Sequence, residues 1–195
     1  MAQLRLMAVQ SNVHGLSRTW ADNSVTISGG RVLLTPANAE RLYCLDLFTG
    51  QLAWSQSRHD GWYLAGVEKG IVYLVGQRGV RALRLADGSP AWEHPHSPYP
   101  PGSTPSGRGY LAERRLFVPL SIGEVVAFDT RDGRLASRSR SKDKQVPGNL
   151  VRCRDRVLSQ TASGLWNFQP LQKRRQGIMR RVADRPDDTG LLVDH

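Results

Sequence analysis

The chain has 195 residues, 39% of them hydrophobic and 23% charged, with 27 Lys and Arg against 17 Asp and Glu for a formal charge of +10. That length holds one ordinary domain or two small ones, and that apolar share supports a packed core, which excludes a wholly disordered chain. No apolar run approaches the ~20 residues of a membrane-spanning helix, so the chain is expected to be soluble with no transmembrane segment.

From the N-terminus, Met1-Ala2-Gln3-Leu4-Arg5 runs into polar Gln10-Ser11-Asn12, without the apolar core and cleavage site of a signal peptide. Residues 1–27 are read as an N-terminal segment that reaches a candidate first strand. Nineteen Gly and eleven Pro, with few long helical patterns, point to short strands joined by turns and to an all-β class. Short β-like runs follow at 31–34, 70–75, 115–118 and 156–159.

After each of the first three runs the same thirteen-residue pattern returns. It spans Leu42 to Trp54, recurs 38 residues later as Val80 to Trp92, and 45 residues after that as Val125 to Ser137, with Ser137 where the tryptophan stood. A fourth copy keeps only Gly164-Leu165-Trp166-Asn167-Phe168. Thr49-Gly50, Asp87-Gly88 and Asp132-Gly133 supply the positive-φ residue that a tight hairpin turn requires. A β unit of this size cannot bury both faces alone, so units must stack, and a period near 40 suits propeller blades better than a solenoid.

At these residues the chain resembles the tryptophan-docking motif of the pyrroloquinoline-quinone-like (quinoprotein) propellers, Ala-x-Asp-x-x-Thr-Gly-x-x-x-Trp. Residues 44–54 match it with Cys44 in the Ala position, then Asp46, Thr49, Gly50 and Trp54. The second copy keeps Ala82, Gly88 and Trp92, but Arg84 and Asp87 replace the Asp and Thr; the third keeps Ala127, Asp129 and Gly133. The resemblance runs from about Ser28 to Phe168 and takes in Pro147-Gly148-Asn149-Leu150, which looks like a blade-opening segment. It implies three to four four-stranded antiparallel blades, near 28–66, 67–106, 107–147 and 148–168, in an incomplete propeller, followed by a basic and polar tail at 169–195. It also implies that the motif residues are structural: the indole packs on the neighbouring blade while the Asp and Thr positions brace the turn.

No catalytic constellation accompanies the repeat. A quinone-dependent dehydrogenase needs a full ring, a Ca²⁺ site of several oxygen ligands and a catalytic carboxylate, and the chain shows no such cluster. No cofactor, metal or catalytic residue is therefore expected, with a dehydrogenase remnant as the alternative. His94-Pro95-His96 with Glu93 is the one close histidine pair and reads as a connecting loop rather than a metal site. Cys44 and Cys153 are expected as two buried thiols.

From Gly107 onward there are 18 Lys and Arg against 10 Asp and Glu, including the connector Arg138-Ser139-Arg140-Ser141-Lys142-Asp143-Lys144. Without interleaved aromatics this charge argues only weakly for nucleic-acid binding. The expected role is a non-catalytic module for a protein or polysaccharide partner, or for self-association. The resemblance implies the bacterial envelope, while the chain itself shows no export signal.

Overall fold

A computed structural model of the protein describes residues 21, 23–93, 99–140, 145–154 and 156–168. Their strands make four separate antiparallel meanders. Blade 1 comprises β1 (Val25–Ser28), β2 (Arg31–Leu34), β3 (Arg41–Asp46) and β4 (Leu52–Ser57). Blade 2 comprises β5 (Gly61–Glu68), β6 (Ile71–Gly76), β7 (Val80–Arg84) and β8 (Pro90–Glu93). Blade 3 comprises β9 (Tyr110–Ala112), β10 (Arg115–Leu120), β11 (Glu124–Asp129) and β12 (Leu135–Arg140). Blade 4 is described as three strands, β13 (Asn149–Cys153), β14 (Arg156–Thr161) and β15 (Gly164–Phe168).

The second strand of a blade shows why the sheets stack. In β6 the run Val72-Tyr73-Leu74-Val75 is buried on both faces, because successive side chains point to opposite sides and each side meets a different blade. Register makes the faces equivalent. Leu33, Cys44 and Trp54 lie opposite one another across blade 1, as do Tyr73, Ala82 and Trp92 across blade 2 and Phe117, Ala127 and Ser137 across blade 3. In each of these blades the register slips by a bulge just after the small residue, at Cys44/Leu45, Ala82/Leu83 and Ala127/Phe128. The bulge bends the third strand into its glycine turn.

Two apolar seams hold the array. Leu33, Leu42, Cys44 and Trp54 of blade 1 pack with Leu64, Val72, Leu74 and Leu83 of blade 2. Tyr63, Tyr73 and Ala82 of blade 2 pack with Leu116, Val118 and Phe128 of blade 3. Both seams are formed by residues far apart in sequence but one repeat apart in register.

Three expectations change here. The division placed near residue 66 falls inside β5, which pairs with β6 as the inner strand of blade 2. Cys153 is exposed rather than buried, since its face of β13 has no further blade against it, whereas Cys44 is buried in the first seam; both thiols are free. Arg138-Ser139-Arg140 is not a solvated connector but the end of β12, where both arginines turn to buried Glu124: Arg138 Nε donates to Oε2 at 2.9 Å and Arg140 Nη2 lies 3.1 Å from Oε1. Residues 1–20, 94–98, 141–144 and 169–195, with the histidine pair and the tail, lie outside the described residues.

Fully buried Phe128 sits in the second seam, while Leu165 is 66% exposed. Phe128→Ala should lower unfolding free energy by about 3–5 kcal/mol, and Leu165→Ala by under about 0.5 kcal/mol. Chemical denaturation followed by far-UV circular dichroism measures both.

Candidate functional site

The third-to-fourth strand turns are built by local acceptors. Asp46 Oδ1 accepts hydrogen bonds from Phe48 N (3.1 Å), Thr49 N (3.0 Å) and Thr49 Oγ1 (3.1 Å), and its Oδ2 meets Arg31 Nη1 at 3.1 Å. In blade 2, where Arg84 replaces the Asp, Asp87 takes over by accepting from Ser89 N at 2.8 Å and Ser89 Oγ at 2.7 Å. In blade 3 Asp129 accepts from Arg131 N, Nε and Nη2 at 2.9, 3.0 and 2.7 Å.

These bonds favour the ionised carboxyls. The Thr49 amide above all holds Asp46 below its ordinary range, the Ser89 hydroxyl does so for Asp87, and the Arg131 guanidinium takes Asp129 far below it. Gly50, Gly88 and Gly133 close the turns at φ +69°, +74° and +71°, a region that costs other residues strain.

Each turn of blades 2 and 3 receives the tryptophan of the blade before it. Trp54 Nε1 donates to Leu85 O at 2.9 Å across the first seam, and Trp92 Nε1 donates to Thr130 O at 3.0 Å across the second. Gly88 lies directly under the Trp54 ring, so close that a Cβ there would stand 2.7 Å from it. Cys44 and Ala82 face the indoles across the strand pair and leave room for them. Ser137 provides no indole, and the third seam is fastened differently.

That fastening escaped sequence reasoning, although Pro147-Gly148-Asn149-Leu150 marked its place. Arg108 N donates to Asn149 Oδ1 at 2.9 Å, Leu150 N to Arg108 O at 2.7 Å, and Ser106 Oγ to Pro147 O at 2.5 Å. Arg108 also reaches back, donating from Nη2 to Leu64 O at 3.0 Å with its guanidinium 5.6 Å from the Tyr63 ring centre. Gly107 allows the approach, since a Cβ there would meet the Gly148 carbonyl carbon at 2.4 Å. The signal was a Ser-Gly-Arg-Gly run ahead of β9, legible only once its partner was known.

Four stacked antiparallel meanders, joined from outer strand to neighbouring turn, define a β-propeller repeat protein. The chain belongs to the family described as outer membrane protein assembly factor BamB, whose profile matches residues 10–176. No curated protein sequence matches it.

Among solved structures it is similar to the computationally designed Ika4 protein, with a TM-score of 0.58 and 17% identity over 87% of this chain and 99% of that one. The designed Ika8 protein gives 0.57 and 16% over 76% of this chain and 45% of that one. BamB from Moraxella catarrhalis gives 0.53 and 18% over 74% and 47%. The chain thus spans under half the length of Ika8 and of that BamB, and at these identities the likeness shows the fold alone.

The same fold is shared with a quinohemoprotein alcohol dehydrogenase from Comamonas testosteroni. The residues present do not fit a quinone and its cation. Among the described residues no three His, Cys, Asp or Glu side chains converge on one point, Asp46, Asp87 and Asp129 are engaged in turn bonds, and both docking indoles lie within seams.

Trp54→Ala should cost about 3–5 kcal/mol of stability and Trp54→Phe, which keeps a ring but loses the N–H, about 1 kcal/mol or somewhat more; thermal and urea unfolding measure both. The depressed carboxyls set the pH dependence. Their contribution is complete above the unfolded Asp value of about 3.9 and is lost as pH falls through the lower folded values. Stability should therefore drop with acidification below about pH 4, and less steeply in Asp129→Asn, as urea midpoints across pH will report.

Proposed function

We propose that the chain is a non-catalytic propeller module that holds a protein partner through its end blades. The observation that carries this is the contrast between inner and outer blade faces. Inner faces are buried to within a few per cent, whereas Val25 and Ile27 of blade 1 and Val151 and Leu165 of blade 4 are 54–66% exposed. Apolar surface of this kind at both ends of a stack favours association. The arrangement supports binding better than catalysis, because the conspicuous polar groups serve turns and seams.

The family's description as an outer membrane assembly factor favours a protein over a polysaccharide as partner, and the bacterial envelope as the place of action.

Size-exclusion chromatography with light scattering tests whether these faces drive association. The purified chain should exceed its 21.7 kDa monomer mass as concentration rises. The double variant Ile27→Lys, Leu165→Lys should return it to monomer with an unchanged circular dichroism spectrum. A chain that stays monomeric throughout the micromolar range overturns the proposal.

A further inference from the structure

Each occupied seam has two halves, an outer-strand tryptophan on one blade and a receiving turn on the next. The receiving half repeats in backbone detail. In blade 2 Leu85 N donates to Gly70 O and Gly88 N to Arg84 O, with the Leu85 carbonyl left for Trp54. In blade 3 Thr130 N donates to Arg114 O and Gly133 N to Asp129 O, with the Thr130 carbonyl left for Trp92.

Blade 1 builds the same turn. Leu47 N donates to Gly30 O and Gly50 N to Asp46 O, each at 2.9 Å, so Leu47 stands where Leu85 and Thr130 stand. Among the described residues no donor meets the Leu47 carbonyl. A Cβ at Gly50 would find nothing within 4 Å, against the 2.7 Å clash with Trp54 at Gly88.

The surrounding surface repeats as well. Val72, Leu74 and Leu83 are buried under blade 1, while their register equivalents Val32, Leu34 and Leu45 on the outward face of blade 1 remain partly exposed. Beside the turn, Phe48 is 87% exposed. It holds the position of Arg131, which lines one cavity with Trp92 and Thr130.

A second copy of this chain does not supply the missing half. Its Trp54 and Trp92 are engaged, and the outer strand of blade 3 carries Ser137. We infer that the Leu47–Gly50 turn and the outward face of blade 1 form a receptor for the tryptophan-bearing outer strand of another propeller blade of this repeat type, supplied by a second, different polypeptide. The incoming indole lies across Gly50 and donates its N–H to Leu47 O, continuing the two seams already present. The inference rests on the interaction-module reading and names the partner at one of its two faces. It accords with the chain spanning 47% of the length of the Moraxella catarrhalis BamB, which leaves further blades to be supplied.

Nuclear magnetic resonance on the labelled full chain, at concentrations where it is monomeric, tests this. The probe is a peptide with the sequence of residues 51–57, whose tryptophan is in docking register, and the control peptide replaces that tryptophan with alanine. The amides of Leu47, Phe48 and Gly50 should shift saturably with the probe, and more than about tenfold more weakly with the control. Those of Leu85 and Gly88, already under Trp54, should stay in place.

Gly50→Ala should abolish the response. Phe48→Glu, at a fully accessible side chain, should weaken it with the fold intact. Equal shifts with both peptides, no shift at the turn, or contacts between Gly50 and Trp20 in the free chain would overturn the inference. Association by light scattering without a peptide response removes this partner and leaves the module reading standing.

Discussion

One interaction organises this protein: an indole N–H on the outer strand of one blade donating to the backbone carbonyl of the next blade's turn. The carbonyl has to be left free by its own turn, which requires a glycine at positive φ and an acidic side chain to absorb the neighbouring amides. The indole has to lie flat on that glycine, which bars a Cβ, and has to find space beside a small residue across the strand pair. Cys44 with Trp54 over Gly88, and Ala82 with Trp92 over the Asp129–Gly133 turn, meet these demands in two successive seams. The large apolar area of the indole and its one polar atom are both satisfied in a single placement.

The stack is asymmetric because each blade gives with its outer strand and receives with its turn. Loss of the tryptophan at Ser137 therefore affects the seam toward blade 4, not the seam toward blade 2. There the inner ends take the load: the Ser106–Gly109 segment and the Pro147–Leu150 segment bond backbone to backbone and tie blade 4 on near the first strands. The outer strand β12 is left with an alternating serine and arginine sequence. Charged residues on such an edge discourage the pairing with other chains that a bare strand invites.

The arginine excess has a structural explanation that composition concealed. Arg31 and Arg131 brace turn aspartates, Arg138 and Arg140 neutralise buried Glu124, and Arg58, Arg81 and Arg108 donate to backbone carbonyls around the junctions between blades. A planar guanidinium with several donors suits these places, where chain segments leave carbonyls without strand partners. The formal charge of +10 is thus in good part a by-product of turns and junctions.

The sequence by itself determined the blade type, the three glycine turns and the identity of the docking residues, because these are local or recur at a fixed spacing. Val72-Tyr73-Leu74-Val75 announces a doubly buried strand from its composition alone, and Thr49-Gly50 announces its turn. The inner strand β5 was assigned across a boundary, since Gly61 and Gly66 interrupt its apolar pattern and only pairing with β6 defines it. Which carbonyl each tryptophan meets, how Arg108 bridges three blades, and that Cys153 lies exposed while Cys44 is buried were decided by tertiary structure. Each depends on what a residue some 31 to 44 positions away brings to it, and stacking, not local propensity, sets that distance.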